Sequence, residues 1–278
     1  MTPIVLQHGL FGFGEFQLGR FRLGYFHGID RAIAERGHPL IISRVHPTGS
    51  VQLRATQLKA TILRKFKALK TPRDQRIVIF AHSLGGLDAR YMITHLGMAD
   101  RVAAVVTIST PHRGSPYADW CLLNLGKRLK ALQLMRLLNL DVQAADDLTI
   151  DSCARFNEHV PDAPGVRYFS ISAARPWHKI TPLFLHAYRI IAAAEGDNDG
   201  LVSVTSAKWG EHLETWPADH LHVINKRLTI EIKNPTGDMT PRYMKILDRL
   251  VHENLCSAAP RLSTATLPAR PGRSVRAK

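Results

Sequence analysis

Ser83 lies where an apolar β-branched run, Arg76-Ile77-Val78-Ile79-Phe80-Ala81-His82, stops, and after Leu84 and the small pair Gly85-Gly86 the chain continues as Leu87-Asp88-Ala89-Arg90-Tyr91. Strand, tight turn and helix in that order lift a serine hydroxyl clear of a sheet, as a nucleophile elbow does. Gly85 can take backbone angles that other residues avoid. Ala81 stands where the G-x-S-x-G pattern has its first glycine, and it is the smallest residue that carries a Cβ. A serine hydroxyl is a weak nucleophile near neutrality. It needs an imidazole to take its proton and a carboxylate to hold that imidazole in one tautomer. Downstream, Glu195-Gly196-Asp197-Asn198-Asp199-Gly200-Leu201-Val202 and Asp219-His220-Leu221-His222 offer both kinds of group. Asp199 and Asp197 compete for the acid, the other stabilising the Asp-Asn-Asp-Gly turn. His220 and His222 compete for the base. His82 and His8 are expected to pack or to buttress, and His112 with Arg113 to fix a loop.

Such groups need a rigid frame, and the chain alternates apolar strands with helix-length connections. Residues 3–7 read as a strand running into the glycine-rich loop His8-Gly9-Leu10-Phe11-Gly12-Phe13-Gly14. Ile29 to Arg36 reads as a helix stopped by Gly37, and Leu40 to Val45 as a strand. Val51 to Leu69 has the 3.6-residue repeat of an amphipathic helix, with Leu53, Leu58, Ile62, Phe66 and Leu69 on one side. The elbow strand follows, then a buried strand at Val102 to Ser109, and Phe184 to Ala194 reads as an apolar helix. This rhythm predicts an α/β fold, a mostly parallel sheet covered by helices on both faces. It breaks between 116 and 165, where the leucine-rich runs Trp120 to Leu125 and Leu129 to Leu140 suggest a helical lid over 116–165, or more plainly a helix packed in the core, within a single domain spanning 1–256. Residues 257–278 turn to Ser, Thr, Ala, Pro and Arg and are expected to form a disordered basic tail.

Composition excludes several classes. Of 278 residues 45% are hydrophobic and 7% aromatic, values of a globular enzyme and not of a disordered chain. No apolar run reaches the roughly 18 residues of a membrane span, and Met1-Thr2-Pro3 leads straight into a core strand without a leader, so the chain reads as cytoplasmic. Cys121, Cys153 and Cys256 form no C-x-x-C pair, and no zinc site or disulfide framework is expected. Thirty-seven Lys and Arg against 23 Asp and Glu give a net charge of +14. Those bases are scattered, Arg261, Arg270, Arg273, Arg276 and Lys278 fall in the tail, and no nucleic-acid motif accompanies them. Solvated surface charge is the first reading, weak attraction to an anionic membrane surface the second.

Four segments together resemble the bacterial true lipases, α/β-hydrolases that cleave triacylglycerols. They are Pro3-Ile4-Val5-Leu6-Gln7-His8-Gly9-Leu10, the elbow Ala81 to Gly86, the run Ser109-Thr110-Pro111-His112-Arg113-Gly114-Ser115, and Asn198 to Val202 with Asp219-His220-Leu221. Order and spacing both match over about 220 residues. The resemblance implies an α/β-hydrolase fold with an ester or lipid substrate, Ser83 as nucleophile, Asp199 as orienting acid and His220 as general base. It also implies that the backbone N–H groups of Leu10 and Leu84 form an oxyanion hole. Leu84 suits that role because N–H groups at a helix start lack intrahelical partners. Two departures stand out. His222 occupies the place of a calcium-binding aspartate in that family and suits a hard cation poorly, and no cysteine lies near Thr205 for the family's disulfide. No metal and no cofactor is expected here. On the same scaffold, thioester or phospholipid hydrolysis, acyl transfer, or binding without catalysis are the alternatives.

Overall fold

The computed structural model describes residues 1–10, 12, 15–18, 21–125, 143–226 and 237–257. Six strands form one parallel sheet in the order β4-β1-β5-β6-β7-β8: β1 Ile4–Gln7, β4 Leu40–Ile42, β5 Ile77–His82, β6 Val102–Ile108, β7 Arg167–Ala173 and β8 Glu211–Trp216. The central strands are apolar at consecutive positions because both sheet faces are covered. On one face Ile4, Leu6, Val78 and Phe80 meet Ile29 and Ile33 of α1 (Ile29–Glu35) and Tyr243, Ile246 and Leu250 of the last helix, Thr240–His252. On the other, Val5, Ile77, Ile79 and Ala81 meet Leu58 and Ile62 of α2 (Val51–Ala68) and Met92 and Ile93 of α3 (Gly85–His95). Further helices are α4 (Pro116–Leu125), Ile150–His159 and Leu185–Glu195.

Two features add to what the sequence predicts, and one corrects it. The stretch after the glycine-rich segment, for which the sequence suggests no element, forms a ribbon, β2 (Glu15–Leu18) antiparallel to β3 (Phe21–Gly24). The α2 stripe is rotated: Leu53 and Leu69 are 42% and 49% exposed, while Val51, Arg54, Ala55, Leu58, Ile62 and Phe66 face inward. A charged residue thus sits in the buried stripe, and Leu69 lies past the last helical residue. Ser257 is bonded to the other end of the described residues: its N–H donates to Thr2 Oγ1 at 2.8 Å while its hydroxyl accepts the Thr2 N–H at 2.7 Å.

The tail beyond Ser257 and the run Leu129 to Leu140 of the expected lid lie outside the described residues, while the lid's other leucine-rich run, Trp120 to Leu125, forms the second half of α4. Within the 116–165 segment, the Ile150–His159 helix packs Cys153 against Leu84 and Leu87 at the start of α3. Among the described residues no helix is long and apolar enough to cross a membrane.

The rotated stripe is directly checkable. Leu58→Ala should lower unfolding free energy by about 2–5 kcal/mol, whereas Leu53→Gln should change it by less than about 0.5 kcal/mol, both read from urea unfolding.

Candidate active site

Ser83 ends β5 with φ of 56°, a left-handed conformation that costs a residue with a Cβ about 1–2 kcal/mol. Its neighbours hold it there. The Ser83 N–H donates to the Ile108 carbonyl of β6 at 2.9 Å, and the Ser83 carbonyl accepts the Thr110 hydroxyl at 2.8 Å. The turn leaves no room for side chains around it. A Cβ on Gly9 would lie 2.7 Å from the Ser83 Cβ, and one on Gly85 would lie 2.8 Å from the His8 carbonyl oxygen. The glycines let the loop after β1 and the start of α3 close on the serine from two sides.

The hydroxyl so presented meets an imidazole from the far end of the sheet. His220 Nε2 lies 3.0 Å from Ser83 Oγ, and His220 Nδ1 lies 2.8 Å from Asp199 Oδ2. All three residues are buried, Ser83 and His220 keeping slight exposure. Asp199 is fixed through its other oxygen: Oδ1 accepts the N–H groups of Leu201 at 2.9 Å and Val202 at 2.8 Å, leaving Oδ2 for the imidazole. The His220 N–H in turn donates to the Asp199 carbonyl at 2.9 Å. Asp197 is exposed two residues away, and Asn198 takes the turn-stabilising place by accepting the Gly200 N–H at 2.9 Å.

Leu10 and Leu84 pack together against Val51 and Leu87, so the two segments expected to supply oxyanion donors share one apolar contact. The loop carrying Leu10 is anchored by a fully buried ion pair. Arg54 Nη2 lies 2.8 Å from Asp88 Oδ2. The same guanidinium donates to the His8 carbonyl at 2.6 Å and the His46 carbonyl at 2.7 Å, and Gln7 Nε2 donates to Asp88 at 2.6 Å. Sequence reading misses Arg54 and Asp88 as site residues. Their only signal is a lone arginine at a position of α2 that the helical repeat turns inward.

His222 does not approach Ser83. Its Nδ1 lies 2.6 Å from Arg175 Nη1 and 3.2 Å from Asp219 Oδ2. Asp219 also accepts the Thr181 N–H at 2.9 Å, the Thr181 hydroxyl at 2.7 Å, and the N–H groups of Leu221 and His222 at 3.0 Å. Burial would raise this carboxyl, but the bonds from His222 and Thr181 outweigh it and hold it at about 2. A ring nitrogen and a guanidinium beside one carboxylate do not fit a calcium ion, which takes six to eight oxygen donors. These residues clamp the turn that carries His220. His112 is buried, stacked on Trp209 at 5.4 Å, and its Nε2 lies 3.0 Å from the Thr107 hydroxyl; the Arg113 N–H donates to Ser206 Oγ at 3.2 Å.

Comparison with known proteins gives a consistent picture. A family profile described as a PGAP1-like alpha/beta domain matches residues 50–168. Triacylglycerol lipase 2 of Saccharomyces cerevisiae is 34% identical over 72% of this chain, which spans 62% of the yeast protein's length. A triacylglycerol lipase of Vibrio cholerae is 28% identical over 91% of this chain and 88% of its own. In fold, the lipase of Staphylococcus hyicus superposes with a TM-score of 0.71 over 91% of this chain and 96% of that one, at 15% identity.

Two outcomes are expected of the supporting charges. Arg54→Met leaves Asp88 buried and unpaired and should cost about 3–5 kcal/mol of stability, most of it regained in the Arg54→Met/Asp88→Leu double variant. Asp219 has a folded value below its ordinary 3.8. Its contribution is therefore complete above about pH 4 and is lost as pH falls toward 2. Asp219→Asn should lower the unfolding free energy by about 2 kcal/mol at pH 7 and hardly at all at pH 2.

Proposed function

We propose that the chain is a lipase of the α/β-hydrolase superfamily, like the relatives it resembles, and that it hydrolyses carboxylic esters through Ser83, His220 and Asp199. The observation that carries this reading is one imidazole placed 3.0 Å from a serine hydroxyl and 2.8 Å from a buried carboxylate. Asp199 holds His220 with its proton on Nδ1, so Nε2 is free to accept the Ser83 proton as Oγ attacks the ester carbonyl. The negative oxygen of the tetrahedral intermediate is stabilised by the Leu10 and Leu84 N–H groups. Collapse breaks the bond to the alcohol, which leaves with the proton from His220, and the acyl group stays on Ser83. A water then gives its proton to His220, attacks the acyl-enzyme and releases the acid. Every step uses the same base and the same two donors.

A long apolar acyl chain is the substrate portion that the surroundings favour. The Phe184 ring stands edge-on to His220 at 6.4 Å, and the adjacent Leu183 is 72% exposed. On the neighbouring α4, Trp120 packs against His186 at 4.6 Å, and Leu123 is also exposed. Apolar surface beside a catalytic base suits a greasy ligand better than a small polar one. The relatives described as triacylglycerol lipases support the same choice.

Ser83→Ala should abolish turnover of chromogenic acyl esters and labelling by a fluorophosphonate; a variant that keeps either refutes the nucleophile. Asp199→Asn should fold normally and lose about four orders of magnitude in kcat. Rates across esters of increasing acyl length, with thioesters and phospholipids in parallel, decide the substrate class. A maximum at short acyl chains would overturn the assignment of a long-chain ester.

A further inference from the structure

Tyr25, directly after the β2–β3 ribbon, touches three segments of the site. Its hydroxyl accepts the Gly9 N–H at 3.2 Å and lies 2.8 Å from His82 Nδ1. Its ring lies tilted against His8 at 5.6 Å, and Lys226, at the end of the turn that begins with His220, places Nζ 4.5 Å from the centre of its face. A phenol has one proton to give. With Gly9 donating to the oxygen, that proton serves His82 Nδ1, and His82 carries its own proton on Nε2. His82 is fully buried, and burial, with the charge of His220 acting in the same direction, pushes its imidazole well below the ordinary range, so the ring is neutral. Its Nε2 has no partner at hydrogen-bonding distance among the described residues, and the His220 backbone acts on the ring. The His82 ring lies 4.6 Å from the His220 ring.

The peptide unit joining His8 to Gly9 is therefore held at both ends. Arg54 grips its carbonyl at 2.6 Å and Tyr25 its N–H at 3.2 Å, and a trans peptide points these two groups in opposite directions. The next unit, which carries the Leu10 N–H, is held through its own Gly9 carbonyl, which accepts the Gly12 N–H at 3.2 Å and lies 2.9 Å from Nδ1 of the same His8 whose ring rests on Tyr25. From the same hydroxyl the chain of contacts continues through His82 to the imidazole of His220.

We propose that Tyr25 and His82 form a positioning relay that keeps the Leu10 N–H and the His220 imidazole in common register around Ser83. The proposal rests on the Ser83, His220 and Asp199 reading above. Neither residue transfers a proton to substrate. Their effect is on alignment, and a misplacement of about 1 Å can cost about a hundredfold in rate.

The test is Tyr25→Phe, which removes one oxygen, together with His82→Phe, which keeps a ring against His220 and removes both nitrogens. Tyr25→Phe should lower kcat by about 10- to 100-fold with KM within about twofold. Affinity for an alkyl boronic acid, whose adduct on Ser83 imitates the tetrahedral intermediate, should fall in step with kcat/KM. The double variant should be no slower than the slower single one, because both changes break the same relay. Tyr25→Phe with unchanged kcat and boronate affinity, beside an inactive Ser83→Ala, overturns the relay and leaves the triad standing. Losses that multiply in the double variant overturn it too, as does a reduced folded fraction with kcat per folded molecule unchanged. An active Ser83→Ala removes the triad and the relay together. Tyr25→Phe decides the matter by itself if His82→Phe does not fold.

Discussion

A guanidinium and a carboxylate with no access to water hold this structure's working end together. Arg54 comes from α2 and Asp88 from the elbow helix, and through them the carbonyls of His8 and His46 and the side chain of Gln7 are bound to one charge cluster. Taking such ions out of water is costly, and the pair is tolerable only because nearly every donor has an acceptor. That cost makes the arrangement specific. Any shift of α2 against α3 strands a charge, so the two helices and the end of β1 move as one piece or not at all. The loop that faces Ser83 inherits this rigidity. It is bound from below by charge and from the side by a neutral phenol.

The elbow adds a second constraint of a different kind. Ser83 and Ser109 end adjacent strands, β5 and β6, and both have positive φ, 56° and 50°. Strained backbone persists only where its surroundings over-determine it. Here the Ser83 N–H is tied to Ile108, its carbonyl to Thr110, and the Ser109 N–H to Ile171 on β7. The strain at Ser83 is thus shared over three parallel strands, which the packed sheet can bear.

The frame was legible because parallel strands buried on both faces leave continuous apolar runs, and β1, β5 and β6 have them. The ribbon at Glu15 to Gly24 was legible in principle, since Phe16, Leu18, Phe21 and Leu23 alternate with polar residues, but strands of four residues give a short and weak alternation. The α2 stripe misleads for a physical reason. Hydrophobic periodicity counts Arg54 as polar and rotates the face toward Leu53, while the partner that makes burial possible lies 34 residues on. In the site, order along the chain brings out Ser83 with a choice of acids and a choice of bases; local sequence does not separate Asp197 from Asp199 or His220 from His222, because burial and loop hydrogen bonding make that difference. Tyr25 has no local signature at all. Its meaning comes from what the fold brings to its hydroxyl.

The bonds between Thr2 and Ser257 set the two ends of the described residues side by side. Thr2 enters β1 from the edge where every parallel strand begins, and Ser83 stands at the edge where they finish. The two ends are thus on the floor of the molecule and the serine is on its roof. A tether fixed at Ser257 would leave the roof turned to solution, and a short peptide joining Ser257 to Thr2 would bridge a gap already closed by hydrogen bonds. The body is in this sense nearly a ring, and a circular permutant could be opened at a distant surface turn without disturbing the roof.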